Sequence, residues 1–265
     1  MAWRVVLIDL DDTLVTDSDQ TEAAMLRTAQ AARPLGLEPL GLAASAIYHA
    51  RERWRAGPLA EECQRLGIGA TEALYSDFSG KSDLLMELST FVPAFRSGAW
   101  ADALDAAGRP DEELAHELAE RFVTERRGRH GLFDDVQPVL DILARTHRLA
   151  IVSNGLPDVQ REKIKTTGLE VYVDAVVIST EVGTGKPDPA PFLKALSLLE
   201  VRRGDAIAVG HSSRRDVAGA RAAGIHSVLL DRGGTVEQHR RGAGPDLIID
   251  SLIDLPELLA VSSAR

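Results

Sequence analysis

The sequence predicts an α/β protein: a parallel sheet with helices on both faces, interrupted by a long helical insertion. Three observations predict it. Short apolar runs near residues 5–9, 149–153, 175–179, 206–210, 226–230 and 247–249 read as buried strands. Helical patterns alternate with the later runs, as successive βα units require. Between the first run and the second, residues 16–130 read almost wholly helical.

The first strand is Val5-Val6-Leu7-Ile8, in the string VVLIDLDDTLV. Asp9 and Asp11 follow where the strand runs out. Residues two apart face the same side, into the crevice where open α/β sheets hold their ligands. Two neighbouring carboxylates rarely share one environment, so one can stay ionised as a nucleophile while the other carries a proton. Thr13 follows within hydrogen-bonding reach. An Asp-rich turn after a strand also serves as a plain turn or helix cap, so the later segments decide its meaning.

In the insertion, Ala43, Ile47, Ala50 and Trp54 form one apolar stripe, and Leu114, Leu118 and Phe122 another. Gly57-Pro58, Gly67-Ile68-Gly69 and Gly108-Arg109-Pro110 mark loops between the pieces. The string HARERWRAG offers His49, Arg51, Arg53, Trp54 and Arg55. Its arginines have two readings, an exposed helix face or a contact to an anionic ligand.

The next strand, in LAIVSNG, ends at Ser153-Asn154-Gly155. A hydroxyl followed by free backbone N–H groups at a strand end suits a phosphoryl oxygen, although an ordinary strand-to-helix turn looks the same. In VVISTEVGTGKPDPAPF, Lys186 lies between a Gly-rich turn and Pro187-Asp188-Pro189, ahead of a helical stretch from Ala190. The chain has only five lysines, and this one is placed to neutralise a bound phosphate. GTGK is not a nucleotide P-loop: Thr180 stands where the first Gly is required, and Pro187 where a Ser or Thr should be. In AIAVGHSSRRDVAGARAAG, a strand ends at Gly210, and Asp216 follows as a metal ligand, a support for one, or a helix N-terminal carboxylate. Ala218, Gly219, Ala222 and Ala223 suit a helix packed closely on the sheet.

The formal net charge of −10 argues against general nucleic-acid binding. Any bound phosphate therefore needs local positive charge, from Lys186, a metal ion, or Arg214 and Arg215, which read equally as a solvated helix start. Cys63 is the only cysteine, which excludes an intrachain disulfide and points to the cytoplasm. Met1-Ala2-Trp3-Arg4 leads straight into the first strand, so neither a signal peptide nor a membrane span is expected.

Together the four segments resemble the four motifs of the haloacid dehalogenase (HAD) superfamily, in that family's order, over roughly residues 1–15 and 131–258. Gln160 and Lys163, in SNGLPDVQREKIKTTGL, also match. The pattern DLDDTLV…SNG…Q is similar to the small-molecule phosphatase and nucleotidase branches, such as the N-acylneuraminate-9-phosphatase-like group. The resemblance implies a Rossmann-like parallel sheet core, residues 1–15 and 131–265, and an inserted α-helical cap domain, residues 16–130, closing over the active site. It implies a magnesium-dependent phosphohydrolase acting on a small-molecule phosphomonoester, with no nucleic-acid or membrane partner. Asp9 is then the nucleophile, Asp11 the proton donor and acceptor, and Lys186 the charge balance. Ser153, Asn154 and Gly155 hold phosphoryl oxygens, and Thr13 orients the loop. Asp9, the backbone carbonyl of Asp11, and Asp216 bind the cation.

One departure bears on that cation. The family's fourth motif begins Gly-Asp, and that Asp ligates magnesium directly; here the position is His211. Magnesium prefers oxygen, whereas imidazole suits transition ions. Three other functions use the same core: a metal-independent haloacid dehalogenase-type hydrolase, a phosphotransferase, and a weakly active binding protein. Asp11 argues against the dehalogenase, which lacks a second Asp in the first motif. Intact Asp9, Asp11, Ser153 and Lys186 argue against loss of activity.

Overall fold

Strand β1 (Val5–Ile8) is buried on both faces, which is why its four residues are all apolar. In the computed structural model, which describes residues 3–80, 82–233 and 244–263, Met1 and Ala2 lie outside the described residues. The chain then forms α1 (Asp17–Ala29), α2 (Pro39–Arg55), α3 (Ala60–Leu66), α4 (Ala70–Ala73), α5 (Asp83–Ala106) and α6 (Glu112–Arg126). There follow α7 (Val136–Leu143), β2 (Arg148–Ser153), α8 (Pro157–Thr166), β3 (Ala175–Ile178), α9 (Ser179–Val182), α10 (Ala190–Leu198) and β4 (Ala206–Gly210). The last elements are α11 (Ala218–Ala222), β5 (His226–Leu230), β6 (Leu247–Ile249) and α12 (Leu255–Ser263).

The strands form one six-stranded parallel sheet of order β3-β2-β1-β4-β5-β6. β1 pairs in register with both β2 and β4, Val5 lying beside Arg148 and Ala206. Alternate residues of β1 feed two cores. Val6 and Ile8 join α7, Ile164 of α8 and α12 on one face. Val5 and Leu7 join α10 and α11 on the other. The sheet is thus covered on both sides, as the apolar runs predict. The chain reverses its direction of travel across the sheet at β1, so the carboxyl ends of β1, β2 and β4 border the switch point where such folds place ligands.

Two glycines permit close approaches that shape this end of the sheet. A Cβ on Gly210 would lie 2.4 Å from Asp216 Cγ, so glycine lets that carboxylate rest on the end of β4. A Cβ on Gly219 would lie 2.6 Å from a ring carbon of Phe192 and 3.3 Å from the carbonyl oxygen of Pro187, so glycine seats the segment after Asp216 against the Lys186 loop.

Contacts divide the chain into two compact units. One comprises Met1–Thr16, Gly131–Gly155 and Lys163–Arg265; the other comprises Asp17–His130 and Leu156–Glu162. The second unit is helical and has its own core, to which Trp54, Trp100, Leu118 and Phe122 contribute. Ala43 and Ala50 are buried in it as the stripe predicts, with Ile47 and Leu114 partly covered at its margin.

The sequence reading assigns Leu156–Glu162 to the sheet core, but this stretch clusters with the helical unit. Polar contacts between residues distant in sequence account for that. Glu72 accepts from Leu156 N at 2.6 Å and Gln160 Nε2 at 3.3 Å. Asp158 accepts from Ser76 Oγ and Asp77 N, each at 2.8 Å, and from Arg127 Nη1 at 3.0 Å. Glu162 accepts from Gly128 N at 2.8 Å and pairs with Arg127 Nε at 2.9 Å.

Candidate active site

Asp9 is the first residue beyond β1, and its N–H still donates to Val209 O of β4 at 3.0 Å, continuing the ladder. The backbone is therefore fixed where the side chain emerges. The carboxylate is 7% exposed and engaged at both oxygens. Oδ1 accepts from Lys186 Nζ at 2.5 Å, and Oδ2 accepts from Thr13 Oγ1 at 2.8 Å. His211 Nδ1 lies 3.1 Å from the same Oδ2, and the His211 N–H donates to Thr13 Oγ1 at 3.2 Å.

Lys186 is the hub. Its buried ammonium donates to Asp9 Oδ1, to Asp216 Oδ1 at 2.7 Å and to Val152 O at 2.7 Å, using all three protons. Asn154 holds its backbone: Asn154 Nδ2 donates to Lys186 O at 2.9 Å, and Lys186 N donates to Asn154 Oδ1 at 2.7 Å. The end of β2 thereby fixes the loop that delivers the lysine. Asp216 Oδ2 accepts from Ser212 N at 2.9 Å.

The electrostatics follow from this packing. Burial pushes the Asp9 pKa up, but the charge of Lys186 and the hydrogen bond and charge of His211 outweigh it and hold the carboxyl well below its usual range. Burial and the charge of Asp9 push Asp216 upward, against Lys186. Burial alone would lower Lys186 and His211; the facing carboxylates raise both. The acidities pushed apart are thus those of Asp9 and Asp216, whereas the sequence reading pairs Asp9 with Asp11.

Asp11 has a different neighbour. Lys163 Nζ, 1% exposed, donates to Asp11 Oδ1 at 2.7 Å. In the sequence Lys163 stands only as a position that matches the family, with no role attached. The available signal was a lysine in a helix that otherwise follows the second motif closely.

Ser153 is buried at the end of β2, its Oγ donating to Asn154 O at 3.2 Å. Gly155 departs from the expected role: its N–H donates to Ser179 Oγ at 3.0 Å, so it does not offer the free donor the strand end suggests. The side-chain amide of Asn154 is likewise turned to the Lys186 backbone. Asp9, Asp11, Ser153, Asn154, Lys186, His211, Arg215 and Asp216 enclose a cavity of about 20 Å³, room for about one water. Arg215 lines it and Arg214 does not.

A cation is compatible with these residues. Oxygens of Asp9 and Asp216 and a ring nitrogen of His211 lie within 4.8 Å of one another. Two carboxylates and one imidazole fit a divalent ion that tolerates nitrogen, rather than an all-oxygen magnesium cage.

The family model for haloacid dehalogenase-like hydrolases matches residues 3–224. A phosphoserine phosphatase of Thermus thermophilus is 37% identical over 250 residues, covering 94% of this chain and 96% of that protein. The N-acylneuraminate-9-phosphatase of Mus musculus is 29% identical, covering 97% and 93% respectively. Among solved structures, a 2-haloacid dehalogenase from Pseudomonas syringae pv. Tomato aligns with a TM-score of 0.56 and 31% identity over 98% of this chain and 99% of that one. The chain belongs to the haloacid dehalogenase-like hydrolase family.

Proposed function

We propose that the chain is a phosphohydrolase that cleaves a small-molecule phosphomonoester through an aspartyl-phosphate on Asp9. The observation that carries this reading is the state of Asp9: a buried carboxylate at a strand end, kept ionised and aimed by Lys186, Thr13 and His211. The phosphoserine phosphatase and N-acylneuraminate-9-phosphatase relatives support a phosphomonoester as the substrate.

In this mechanism an Asp9 oxygen attacks phosphorus while the ester bond to the leaving alcohol breaks. Asp11, held by Lys163, gives the alcohol its proton. Asp11 then takes a proton from the water that attacks the phosphoryl group, releasing phosphate and restoring Asp9. Lys186 offsets charge on Asp9 and the phosphoryl oxygens, and Ser153 donates to one of them. Asn154 acts indirectly, by fixing the Lys186 loop. Asp9, Asp216, His211 and the backbone carbonyl of Asp11 would hold the divalent ion, magnesium or a more nitrogen-tolerant one, which supplies further charge neutralisation. The helical unit, roughly residues 16–130, serves as the cap domain that selects the substrate. The lone cysteine supports a cytoplasmic setting.

A second reading, a dehalogenase in which Asp9 displaces halide without a metal, is favoured by the 31% identity to the Pseudomonas syringae protein and by His211. One assay separates the two. Phosphate release from a panel of phosphomonoesters and halide release from 2-haloacids are measured with and without divalent ions. Phosphate release that Asp9→Asn abolishes supports the first reading; halide release without phosphate release supports the second.

A further inference from the structure

Arg232 stands just beyond β5, and its guanidinium reaches the loop that follows β1. Nη1 donates to Asp135 Oδ2 at 2.7 Å, and Nη2 donates to Asp135 Oδ1 at 2.8 Å. The second proton of Nη2 goes to the backbone carbonyl of Thr13 at 3.1 Å. The ring of Phe133 backs the same guanidinium, its centroid 4.0 Å from Cζ. Asp135 is itself anchored, since its Oδ2 also accepts from Ser251 Oγ at 2.7 Å and Leu252 N at 3.0 Å. The arginine is thus held by a fixed carboxylate and a ring face, and it presents one N–H to the loop.

The loop, residues 10–15, needs a hold from outside. Asp12 has φ +54°, a left-handed conformation that residues other than glycine seldom adopt. The internal bonds gather on two carbonyls. Leu10 O accepts from Leu14 N at 2.9 Å and Val15 N at 3.0 Å, and Val15 O accepts from Asp12 N at 2.7 Å. Leu14 O accepts from Phe133 N at 3.2 Å. The carbonyl of Thr13 is left over, and among the described residues Arg232 is its one donor. The buried Thr13 hydroxyl donates to Asp9 Oδ2 at 2.8 Å. Thr13 therefore joins the arginine, through its carbonyl, to Asp9, through its hydroxyl.

We infer that Arg232 is a positioning residue for the nucleophile: it fixes the backbone at Thr13, so that the Thr13 hydroxyl holds the Asp9 carboxylate in its attacking orientation. The effect on turnover rests on the phosphatase reading; the effect on the loop does not. A lysine would keep the charge toward Asp135 but has no planar fork to hold Asp135 and the Thr13 carbonyl together. Arg232 is not among the residues that enclose the active-site cavity, so its loss should act on kcat rather than on KM.

The test combines kinetics on a phosphomonoester that wild type hydrolyses with hydrogen exchange resolved by peptide. Arg232→Lys should lower kcat by about tenfold or more with KM unchanged, the scale expected when a reacting group is slightly misplaced. Thr13→Val should also lower kcat, and adding Arg232→Lys to it should lower kcat no further, because the arginine acts through that hydroxyl. Ser251→Ala, which removes support from Asp135 alone, should leave kcat unchanged even where it lowers the melting temperature. Arg232→Lys should speed exchange at residues 12–15 and not at residues 149–152 of β2, whereas a purely structural role would speed both. The assignment is overturned by wild-type kcat in Arg232→Lys, by losses that add in the double variant, by an equal kcat loss in Ser251→Ala, or by unchanged exchange at residues 12–15. If wild type releases phosphate from no ester, the phosphatase reading fails, and the exchange comparison still decides whether Arg232 fixes Thr13.

Discussion

Replacing Lys186 by Met removes the charge at the centre of the site while keeping most of the side-chain length. In wild type the ammonium, 5% exposed, holds Asp9 at 2.5 Å and Asp216 at 2.7 Å. Those carboxylates are themselves 7% and 4% exposed, so water cannot replace the lost partner. Breaking a buried ion pair by removing one member costs about 3–5 kcal/mol, because the other charge stays buried and unpaired. Here two anions are left facing each other. Against a total stability on the order of 5–15 kcal/mol, the loss is large. Equilibrium urea unfolding at pH 7 in the presence of a chelator measures it. The double variant Lys186→Met with Asp216→Asn should recover part of the loss, since it removes one of the two stranded charges. If Lys186→Met is as stable as wild type, or if adding Asp216→Asn destabilises it further, the ion-pair account of the site is wrong.

Asp11→Asn should lower turnover of alkyl phosphates by about 10²–10⁴-fold, the usual contribution of a positioned proton donor. The loss should be smaller for an aryl phosphate, whose leaving group needs less protonation; steady-state kinetics on both substrates checks it. Wild type should bind Mn²⁺ or Co²⁺ more tightly than Mg²⁺, and His211→Asp should reverse that order, read by calorimetry. Asp135 accepts from Arg232 at 2.7 and 2.8 Å, from Ser251 Oγ at 2.7 Å and from Leu252 N at 3.0 Å. Burial opposes these bonds, yet together they hold its pKa below the usual carboxylate value. Its stabilisation is therefore complete above the unfolded pKa of about 3.9 and is lost as pH falls below it. Asp135→Asn should cost about 2 kcal/mol at pH 7 and flatten the acid side of the stability profile, as thermal melts across pH would show.

Much of the sheet was legible because its strands are buried on both faces, so Val5–Ile8, Leu149–Val152 and Ala206–Val209 read as continuous apolar runs flanked by polar residues. The residues at the strand ends are legible only together: a carboxylate or hydroxyl after such a run also serves as a turn or a cap, and the four segments in their order give Asp9, Asp11, Ser153, Lys186 and Asp216 their meaning. What pattern reading lacked were pairings between distant segments. Lys163 meets Asp11 across a sequence separation of 152, and nothing local to either residue signals it. The Gly155 N–H looks free in the sequence because its acceptor, Ser179, lies beyond the next helix. The arginines of α2 look equivalent in sequence; Asp102 and Glu52 make the difference between them.

The central claim is that Asp9 becomes covalently phosphorylated during turnover. Its most direct test is mass spectrometry of the protein after rapid acid quench in mid-turnover with a hydrolysed phosphomonoester. The account predicts one added phosphoryl group, mapped to the peptide that contains Asp9 and absent from Asp9→Asn. Sustained phosphate release with no adduct trapped on the protein, or with the adduct on any other residue, would contradict it.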